Sequence, residues 1–347
     1  MAVTLRQIAQ LAGVSHQVVS KVLNGGANGV GASDATRLRI QQIARELGYR
    51  PDGASRALRS GRYQNIGILM GGEDLLYLPQ HTLMAMSREL AQKDYLSTLV
   101  CTKGFDEEAL EINPILKAKM VDVLLISFVT PMGEAFTKAI DRLDIPVLWL
   151  NQNGPVDCLS VDEYGATVQL VEHLAGLGHT RITFLGFNIG HEYSPHVSDR
   201  IRGFDESCES LGLEALHYTH HKVARPDRAQ ACKRWLSNPR RSKAVIVNSL
   251  SAAQALTQTA VQMGLRIPED LAIASYDDGM HFDANVPAIT CAIRPTEAFG
   301  MQAAKMALTR AEKPEQNVPS CVMPFSLAIG GTTDCNDPVP QDHTVES

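Results

Sequence analysis

Apolar and polar positions near the N-terminus follow a helical period. Thr4 followed three residues later by Gln7 forms a capping-box pattern, and apolar residues then recur at helical spacing as far as Ala12. Gly13 predicts the end of this helix, and Ser15 predicts the N-cap of a second one. Two short helices joined by a glycine-containing turn are typical of a helix-turn-helix.

A third amphipathic helix is predicted from about Ser33 to Gly48, which would complete a small three-helix core. The pattern predicts that the second helix buries Val18, Val19, Val22 and Leu23. The predicted inward positions of the third helix are Leu38, Ile40, Ile43, Ala44 and Leu47.

From Gln64 onward, short apolar runs alternate with helical patterns, which predicts parallel sheets covered on both faces. Because about 280 residues are many for one sheet, we expect two lobes, the first starting near Tyr63 and the second near Val161. Ligands of such sheets bind at the carboxyl ends of the strands, here facing a cleft between the lobes. The predicted strands cover 66–70, 96–100, 123–127, 147–150, 181–186, 244–247 and 271–275, and two predicted helices cover 83–93 and 166–177.

Composition narrows the class of protein. The chain has 347 residues, of which 44% are hydrophobic and 20% charged, and this excludes a wholly disordered, collagen-like or coiled-coil protein. No apolar run approaches the ~20 residues that span a bilayer, and the first residues do not resemble a signal peptide. We therefore expect a cytoplasmic protein without a membrane partner, whose widely spaced cysteines stay reduced.

Charge is distributed unevenly along the chain. Residues 1–62 contain nine Lys and Arg against three Asp and Glu, a net charge of +6, whereas the whole chain carries -6. A basic head on an acidic body indicates that the head binds a polyanion while the body repels one. The alternative is that the basic residues form an ordinary solvated helical surface.

Three long polar side chains stand at the start and middle of the second predicted helix. His16, Gln17 and Lys21 point away from its apolar stripe, and Gln and Lys can both pair with base edges in the major groove. Spacing alone does not exclude the alternative that these residues are simply solvated surface.

Several motifs in this head closely resemble the lactose/galactose repressor (LacI/GalR) family. They are VTLRQIA at 3–9, AGVS at 12–15, VVSKVLN at 18–24, TR at 36–37 and LGYRP at 47–51. In that family the second helix lies in the major groove, so the resemblance places His16, Gln17 and Lys21 on base-reading positions. It also implies DNA contacts by Thr4, Ser15, Ser20 and Asn24. The segment 25–32 is a few residues longer than the loop that is usual in the family.

Residues 52–61 contain few large apolar side chains and, by composition, could be a plain linker. In the family this stretch becomes a short hinge helix on operator binding, pairs with its twin and inserts a leucine into the minor groove. The resemblance thus implies that Leu58 wedges between base steps and that Ser55 contacts DNA. Paired hinges demand symmetry, so we expect a homodimer on a pseudo-palindromic double-stranded operator.

The resemblance continues through the body to about Asp334, on the motifs GHTRI at 178–182, RIRGF at 200–204, GLRIPED at 264–270 and YDD at 276–278. It implies an all-α helix-turn-helix head followed by an α/β bilobed effector domain, similar to type I periplasmic binding proteins, with two parallel doubly wound sheets. The expected domains are a helix-turn-helix over 1–51, a hinge over 52–62, an effector and dimerisation domain over 63–335 and a disordered tail over 336–347. The first lobe is expected to cover 63–160 and 293–325, and the second 161–292 and 326–335.

Polar and aromatic residues follow several predicted strands, which suits a ligand site. An Arg and an Asp converging on a cleft can hydrogen-bond vicinal hydroxyls from both sides, as a carbohydrate requires. The alternative is a structural ion pair between Arg200 and Asp277. Effectors of the family are mostly sugars and sometimes purines, and the resemblance places Asn151, Arg200, Asn248 and Asp277 on effector-contacting positions. Tyr77 and Phe187 are further candidate effector contacts, because their rings offer stacking surfaces; the alternative for each is a place in the core. Asn151 and Ser249 stand where the family commonly has Asp, so a typical hexose is not implied.

The sequence lacks the motifs of catalytic, phosphate-binding and metal sites. Neither a Gly-x-Ser-x-Gly elbow nor a phosphate-binding Lys-Ser/Thr is present, and the histidine clusters at 191–196 and 217–221 lack ligand spacing, so we expect no cofactor, no metal and no enzymatic activity. The sequence predicts a ligand-responsive, sequence-specific DNA-binding transcriptional regulator, a repressor controlled by a small carbohydrate-like molecule. The alternative is a cytoplasmic sugar-binding protein without a role on DNA.

Overall fold

A computed structural model describes residues 3–24, 32–49, 62–71, 78–102, 114–127, 134–187, 195–220, 227–277 and 287–334. The predicted contacts at Ser55, Leu58 and Tyr77 lie outside the described residues, as does the tail. The chain divides into two compact units, one formed by residues 1–65 with 120–122 and the other by the rest.

In the described residues of the head there are three helices, as the sequence predicts: α1 (Leu5–Ala12), α2 (His16–Asn24) and α3 (Asp34–Glu46). The capping box is confirmed, because the Gln7 amide donates to Thr4 Oγ1 at 3.4 Å and the Thr4 amide donates to Gln7 Oε1 at 2.8 Å. Ser33 caps α3 by accepting from the Thr36 amide at 3.3 Å. The small core consists of Ile8, Ala9, Ala12, Val19, Ile40 and Ala44.

The prediction that Leu38 is buried is wrong. Its side chain is 62% exposed, whereas Ile40, only two residues later, is fully buried. Because successive helical residues are rotated by about 100°, a step of two places a side chain on the far side of the helix. Ile40 and Ala44 define the inner face of α3, and Leu38 therefore points away from it. Leu47, also predicted to be buried, lies just past the helix end and is 37% exposed.

The body contains two six-stranded sheets, which confirms the predicted fold class. In spatial order, the first sheet contains β11 (Cys321–Met323), β5 (Cys158–Val161), β4 (Val147–Leu150), β3 (Val123–Ser127), β1 (Asn65–Gly71) and β2 (Leu96–Thr102). The second contains β12 (Ser326–Ala328), β10 (Thr290–Ile293), β9 (Ala272–Asp277), β8 (Ala244–Val247), β6 (Arg181–Phe187) and β7 (Glu214–His220). Pairing is parallel from β11 to β1 and from β10 to β7, and β12 runs antiparallel to β10.

Helices connect the strands of each sheet, as is usual for parallel pairs. The body helices are α4 (Gln80–Ala91), α5 (Pro114–Lys117), α6 (Glu134–Asp141), α7 (Glu163–Gly176), α8 (Pro195–Ser210), α9 (Arg228–Leu236), α10 (Leu250–Gln262) and α11 (Thr296–Glu312). We call the first sheet with its helices the first lobe, and the second sheet with its helices the second lobe.

The chain crosses between the lobes three times among the described residues. The crossings follow β5, β10 and β11, and Asp162, Arg294 and Met323 lie where these three strands end. The Asp162 amide donates to the Met323 carbonyl oxygen at 2.9 Å, which ties the first crossing to the third. These crossings place side chains from both lobes within contact of one another.

Candidate functional site

The exposed face of α2 carries the side chains that the sequence predicts as base readers. His16, Gln17 and Lys21 are all exposed, while Val19 on the opposite side is fully buried. The Ser15 hydroxyl accepts from the Val18 amide at 3.3 Å, so that it caps the start of this helix. The head therefore presents long polar side chains on a helix whose other face is fixed by packing.

Three further residues of the head, Thr4, Ser20 and Asn24, belong to the predicted set of DNA contacts. Thr4 is exposed and engaged in the capping box of α1, and Ser20 is half-buried on α2. Asn24 is the last residue of α2, but its side chain lies outside the described part of the structure.

A buried carboxylate that sequence analysis missed lies at the first crossing. Glu163 is the first residue of α7, whose N-cap Asp162 accepts from the Gly165 amide at 2.8 Å. Its side chain is only 2% exposed, and Arg200 Nε donates to Glu163 Oε2 at 2.6 Å. Gly203 permits this contact, because a Cβ there would lie 2.8 Å from the Tyr164 carbonyl oxygen and push α7 and α8 apart.

Arg200 is held on several sides. Besides Glu163, it donates from Nη1 to the Asn248 carbonyl oxygen at 2.9 Å, and its guanidinium lies 3.8 Å from the centre of the Tyr276 ring. The Tyr276 hydroxyl is itself hydrogen-bonded to Thr167 Oγ1 at 2.7 Å. Arg200 therefore forms an ion pair with Glu163, a partner that the sequence analysis did not name.

Arg294, on the second crossing, lies close to Asn151 of the first lobe and to Glu163 at the first crossing. It donates from Nη2 to Asn151 Oδ1, and its Nη1 lies 4.0 Å from Glu163 Oε1. Its backbone amide donates to the Asp277 carbonyl oxygen at 2.8 Å. Asn151 is 1% exposed and has a φ of 61°, a left-handed conformation that Asn adopts more readily than most residues.

We call Asn151, Glu163, Arg200, Asp277 and Arg294 the inter-lobe cluster. Three of the predicted effector contacts, Asn151, Arg200 and Asp277, belong to it, and Asn248 adjoins it through its carbonyl oxygen. Glu163 and Arg294 were not predicted, because neither follows a recognisable motif. The Phe187 ring is 3% exposed within an apolar core cluster, and its backbone groups pair with the Asn248 side-chain amide at 3.2 Å.

The ionisation of this cluster follows from burial and neighbouring charge. Burial alone would raise the pKa of Glu163, but the guanidinium groups of Arg200 and Arg294 outweigh burial and hold this pKa below its ordinary value. Burial lowers the pKa of His196 to about 4, although Glu163 lies 3.6 Å from its Nδ1. At neutral pH, Glu163 is therefore ionised and His196 is neutral.

The buried imidazole predicts an acid-sensitive stability. The unfolded chain binds a proton at His196 near the ordinary pKa of 6.5, whereas the folded chain does so only near 4. Stability is thus unaffected by this group above about pH 6.5 and falls as the pH drops towards 4. Urea unfolding gives the free energy of unfolding at about pH 7 and at about pH 5. The loss of this free energy between the two pH values should be ~2 kcal/mol smaller in His196→Gln than in the wild-type protein. Equal pH dependence in both proteins would contradict the assignment.

The described residues contain neither a candidate metal cluster nor a candidate membrane-spanning helix. Among these residues, no group of three or more His, Cys, Asp or Glu side chains could hold a metal ion. In the same part of the chain, no helix combines the length and apolar character needed to cross a membrane.

Family models match both parts of the chain. The model for bacterial regulatory proteins of the lacI family matches residues 4–52, and the model for a periplasmic binding protein-like domain matches residues 171–333. The ribose operon repressor of Haemophilus influenzae is 26% identical over 93% of this chain and 98% of its own length. The transcriptional repressor PurR of Vibrio vulnificus is 25% identical over 90% of this chain and 93% of its own length.

Solved structures share the fold. The Lac repressor bound to ONPG superimposes with a TM-score of 0.79 at 21% identity, covering 96% of this chain and all of that one. The complex of the transcriptional regulator CelR with cellobiose gives a TM-score of 0.66 at 22% identity, covering 95% of this chain and 99% of that one.

Proposed function

Because the chain is a ligand-responsive DNA-binding regulator of the lacI family of bacterial regulatory proteins, we propose that it represses transcription from a specific operator. In this proposal the exposed face of α2 reads the operator, and a small carbohydrate-like molecule bound at the inter-lobe cluster controls operator affinity. The cluster carries the proposal, because it joins side chains of both lobes and the crossings between them. Since the relatives are transcriptional regulators, the prediction that the chain is not an enzyme is confirmed.

DNA binding by the purified protein tests the head. We expect a preference for its own promoter region over random duplex, with an affinity that falls steeply as salt increases, because phosphate contacts release counterions. Equal, salt-insensitive binding to both duplexes would contradict the proposal.

Replacing Lys21 by Ala tests which contacts α2 makes. If Lys21 reads a base edge, the variant should lose about 1–3 kcal/mol of operator affinity and accept other bases at one position. A phosphate contact would instead weaken binding about uniformly across sequences. Binding to a library of single-base operator variants separates these results, and Lys233→Ala on α9 of the body provides the matched loss of charge. An unchanged sequence profile in Lys21→Ala would exclude Lys21 as a base reader.

We also propose that the chain acts as a homodimer, whose two heads occupy successive half-sites. An exposed apolar face of the first lobe supports this proposal. Ser97 on the edge strand β2 hydrogen-bonds Ser87 on α4 at 2.8 Å, and Leu99, two residues along the same side of the strand, is 47% exposed. Met84, one turn before Ser87, is 49% exposed, so that α4 and β2 present apolar groups side by side.

A charge placed on this face should separate the protomers. Sedimentation equilibrium should find Leu99→Glu monomeric, and its operator affinity should fall by about 10²-fold or more because the second head no longer binds the same DNA. Leu211→Glu is the matched control, since Leu211 is also 47% exposed but lies after α8. A dimeric Leu99→Glu protein would exclude this face as the interface.

A further inference from the structure

Hydrogen bonds fasten the chain where it enters the first lobe. The Tyr63 amide donates to Asp122 Oδ1 at 2.7 Å, just before β1 begins at Asn65. The Asn65 side-chain amide donates to the Met120 carbonyl oxygen at 2.9 Å, and the Asp122 amide donates to the Asn65 carbonyl oxygen at 2.8 Å. We call these contacts the entry clip. They join the start of β1 to the segment that precedes β3.

The residue in the middle of the entry clip has an unusual backbone conformation. Gln64 has a φ of 50°, and non-glycine residues adopt this left-handed conformation at a cost in free energy. Such residues persist where the surrounding contacts hold them. Tyr63 and Asn65, the two neighbours of Gln64, are each held by a contact of the clip. The path of the chain into β1 is therefore set by the clip and not by the preference of Gln64.

Asp122 contributes to the clip with both its side chain and its backbone. The residue is half-buried, and its second carboxylate oxygen, Oδ2, is buried without a hydrogen-bond partner among the residues that the structure describes. A carboxylate withdrawn from water needs hydrogen-bond donors, and bonds from a backbone amide to a charged acceptor are shorter and stronger than neutral ones. At 2.7 Å, the bond from the Tyr63 amide is of this kind.

The clip lies between the predicted hinge and the first lobe along the chain. The hinge, over 52–62, ends directly before Tyr63, whereas Asn65 already belongs to β1. Any displacement of the first lobe therefore reaches the hinge through the clip. When two heads bind two half-sites, the spacing that both can reach depends on where each hinge segment starts. A fixed starting point narrows the range of spacings at which both heads bind at once.

We propose that Asp122 is a positioning residue for operator binding, which holds Tyr63 and thereby sets the half-site spacing that the dimer selects. This rests on the proposed function, in which the two heads of a homodimer bind one operator. Asp122 acts here through the chain and does not touch DNA. Without its carboxylate, the residues before β1 gain conformational freedom that they must lose again when both heads bind. This loss lowers the effective concentration of the second head.

Duplexes that differ only in half-site spacing test this role on the full-length protein. The probes are the operator from its own promoter, the same operator with two base pairs inserted or removed at its centre, and a duplex with one half-site. Wild-type protein should bind the altered spacings about tenfold or more weakly than the operator. Asp122→Ala should bind the single half-site as the wild type does, but bind the operator about tenfold more weakly and distinguish the spacings by less than about threefold.

The outcomes separate this inference from the proposed function. Persistence of the wild-type spacing preference in Asp122→Ala would overturn the inference and leave the proposed function intact. An equal loss of affinity for the single half-site and for the operator would also overturn the positioning role, because the heads themselves would then be impaired. Wild-type protein that binds all spacings and the single half-site equally would overturn the inference together with the proposal of a dimer on two half-sites.

Two further variants identify the hydrogen bond as the cause. Asp122→Asn keeps an oxygen that can accept from the Tyr63 amide, and it should recover most of the operator affinity and spacing preference. Asp144→Ala is the matched loss of charge: Asp144 pairs with Lys119 at 2.9 Å, directly before the clip in sequence, but its side chain is 88% exposed. It should behave as the wild type. Equal effects of Asp122→Asn and Asp122→Ala, or of Asp144→Ala and Asp122→Ala, would overturn the assignment.

Another variant keeps the test valid if Asp122→Ala does not fold. Asn65→Ala leaves Asp122 in place and removes the side-chain amide that donates to the Met120 carbonyl oxygen. It should reduce the discrimination between spacings in the same direction, with single half-site affinity unchanged. Wild-type discrimination in Asn65→Ala would overturn the claim that the entry clip sets the spacing.

Discussion

Replacement of Arg200 by Met is expected to lower the free energy of unfolding of the body by about 3–5 kcal/mol. The substitution leaves Glu163 buried at 2% exposure without its 2.6 Å partner, and an uncompensated buried charge is among the costliest single defects in a folded protein. Urea unfolding at neutral pH, monitored by tryptophan fluorescence, measures this loss. The double variant Arg200→Met/Glu163→Gln should recover much of it, because the orphaned charge is removed together with its partner.

Arg202 offers a matched control on the same helix. It pairs with Asp199 at 2.9 Å, but its side chain is 55% exposed, so that Arg202→Met should cost less than about 1 kcal/mol. Equal losses in Arg200→Met and Arg202→Met would show that the buried network does not stabilise the body. Head-dependent DNA binding at low temperature should persist in Arg200→Met, whereas the effector response should be lost.

Replacement of Ile40 by Ala is expected to unfold the head and leave the body intact. Ile40 is fully buried in a small core, which has six buried residues in the described part of the head, and a large-to-small change there costs about 2–5 kcal/mol. Domains of this size rarely hold more than about 3–5 kcal/mol in total, so the loss consumes most of the stability of the head. Limited proteolysis should cut the variant within residues 1–50, and operator binding should disappear while ligand-induced stabilisation of the body remains.

Leu38→Ala is the control for this experiment. Leu38 lies on the same helix but is 62% exposed, and its replacement should change stability by no more than about 0.5 kcal/mol. Comparable losses of DNA binding in the two variants would contradict the arrangement of α3.

The parts of the fold that local patterns determine could be predicted from the sequence. Thr4 with Gln7 and Ser33 with Thr36 act within one helical turn, so that the starts of α1 and α3 follow from adjacent residues. The longer buried strands, such as β3, are nearly continuous apolar runs, and such runs predict strands of a parallel sheet. The three-residue strands β11 and β12 carry no such signal and form because neighbouring strands hold them in place.

The most informative part of the candidate site could not be predicted in this way. Glu163 follows the cap residue Asp162 and, in sequence, looks like an ordinary acidic residue in the first turn of a helix. Its burial depends on Arg200 and Arg294, which are distant in sequence and are brought together only by the crossings between the lobes. The family resemblance pointed to Arg200 but offered no motif for the carboxylate that holds it.

Operator affinity measured with and without a bound effector tests the central claim most directly. The ligand that gives the largest thermal stabilisation is added to the wild-type protein on its own promoter DNA, and to the double variant Arg200→Met/Glu163→Gln. In the wild type, the ligand should change operator affinity by about 5–150-fold, as expected for a coupling of ~1–3 kcal/mol, and it should have no effect on the variant. A ligand that binds and stabilises the wild-type protein but leaves its operator affinity unchanged would contradict the account.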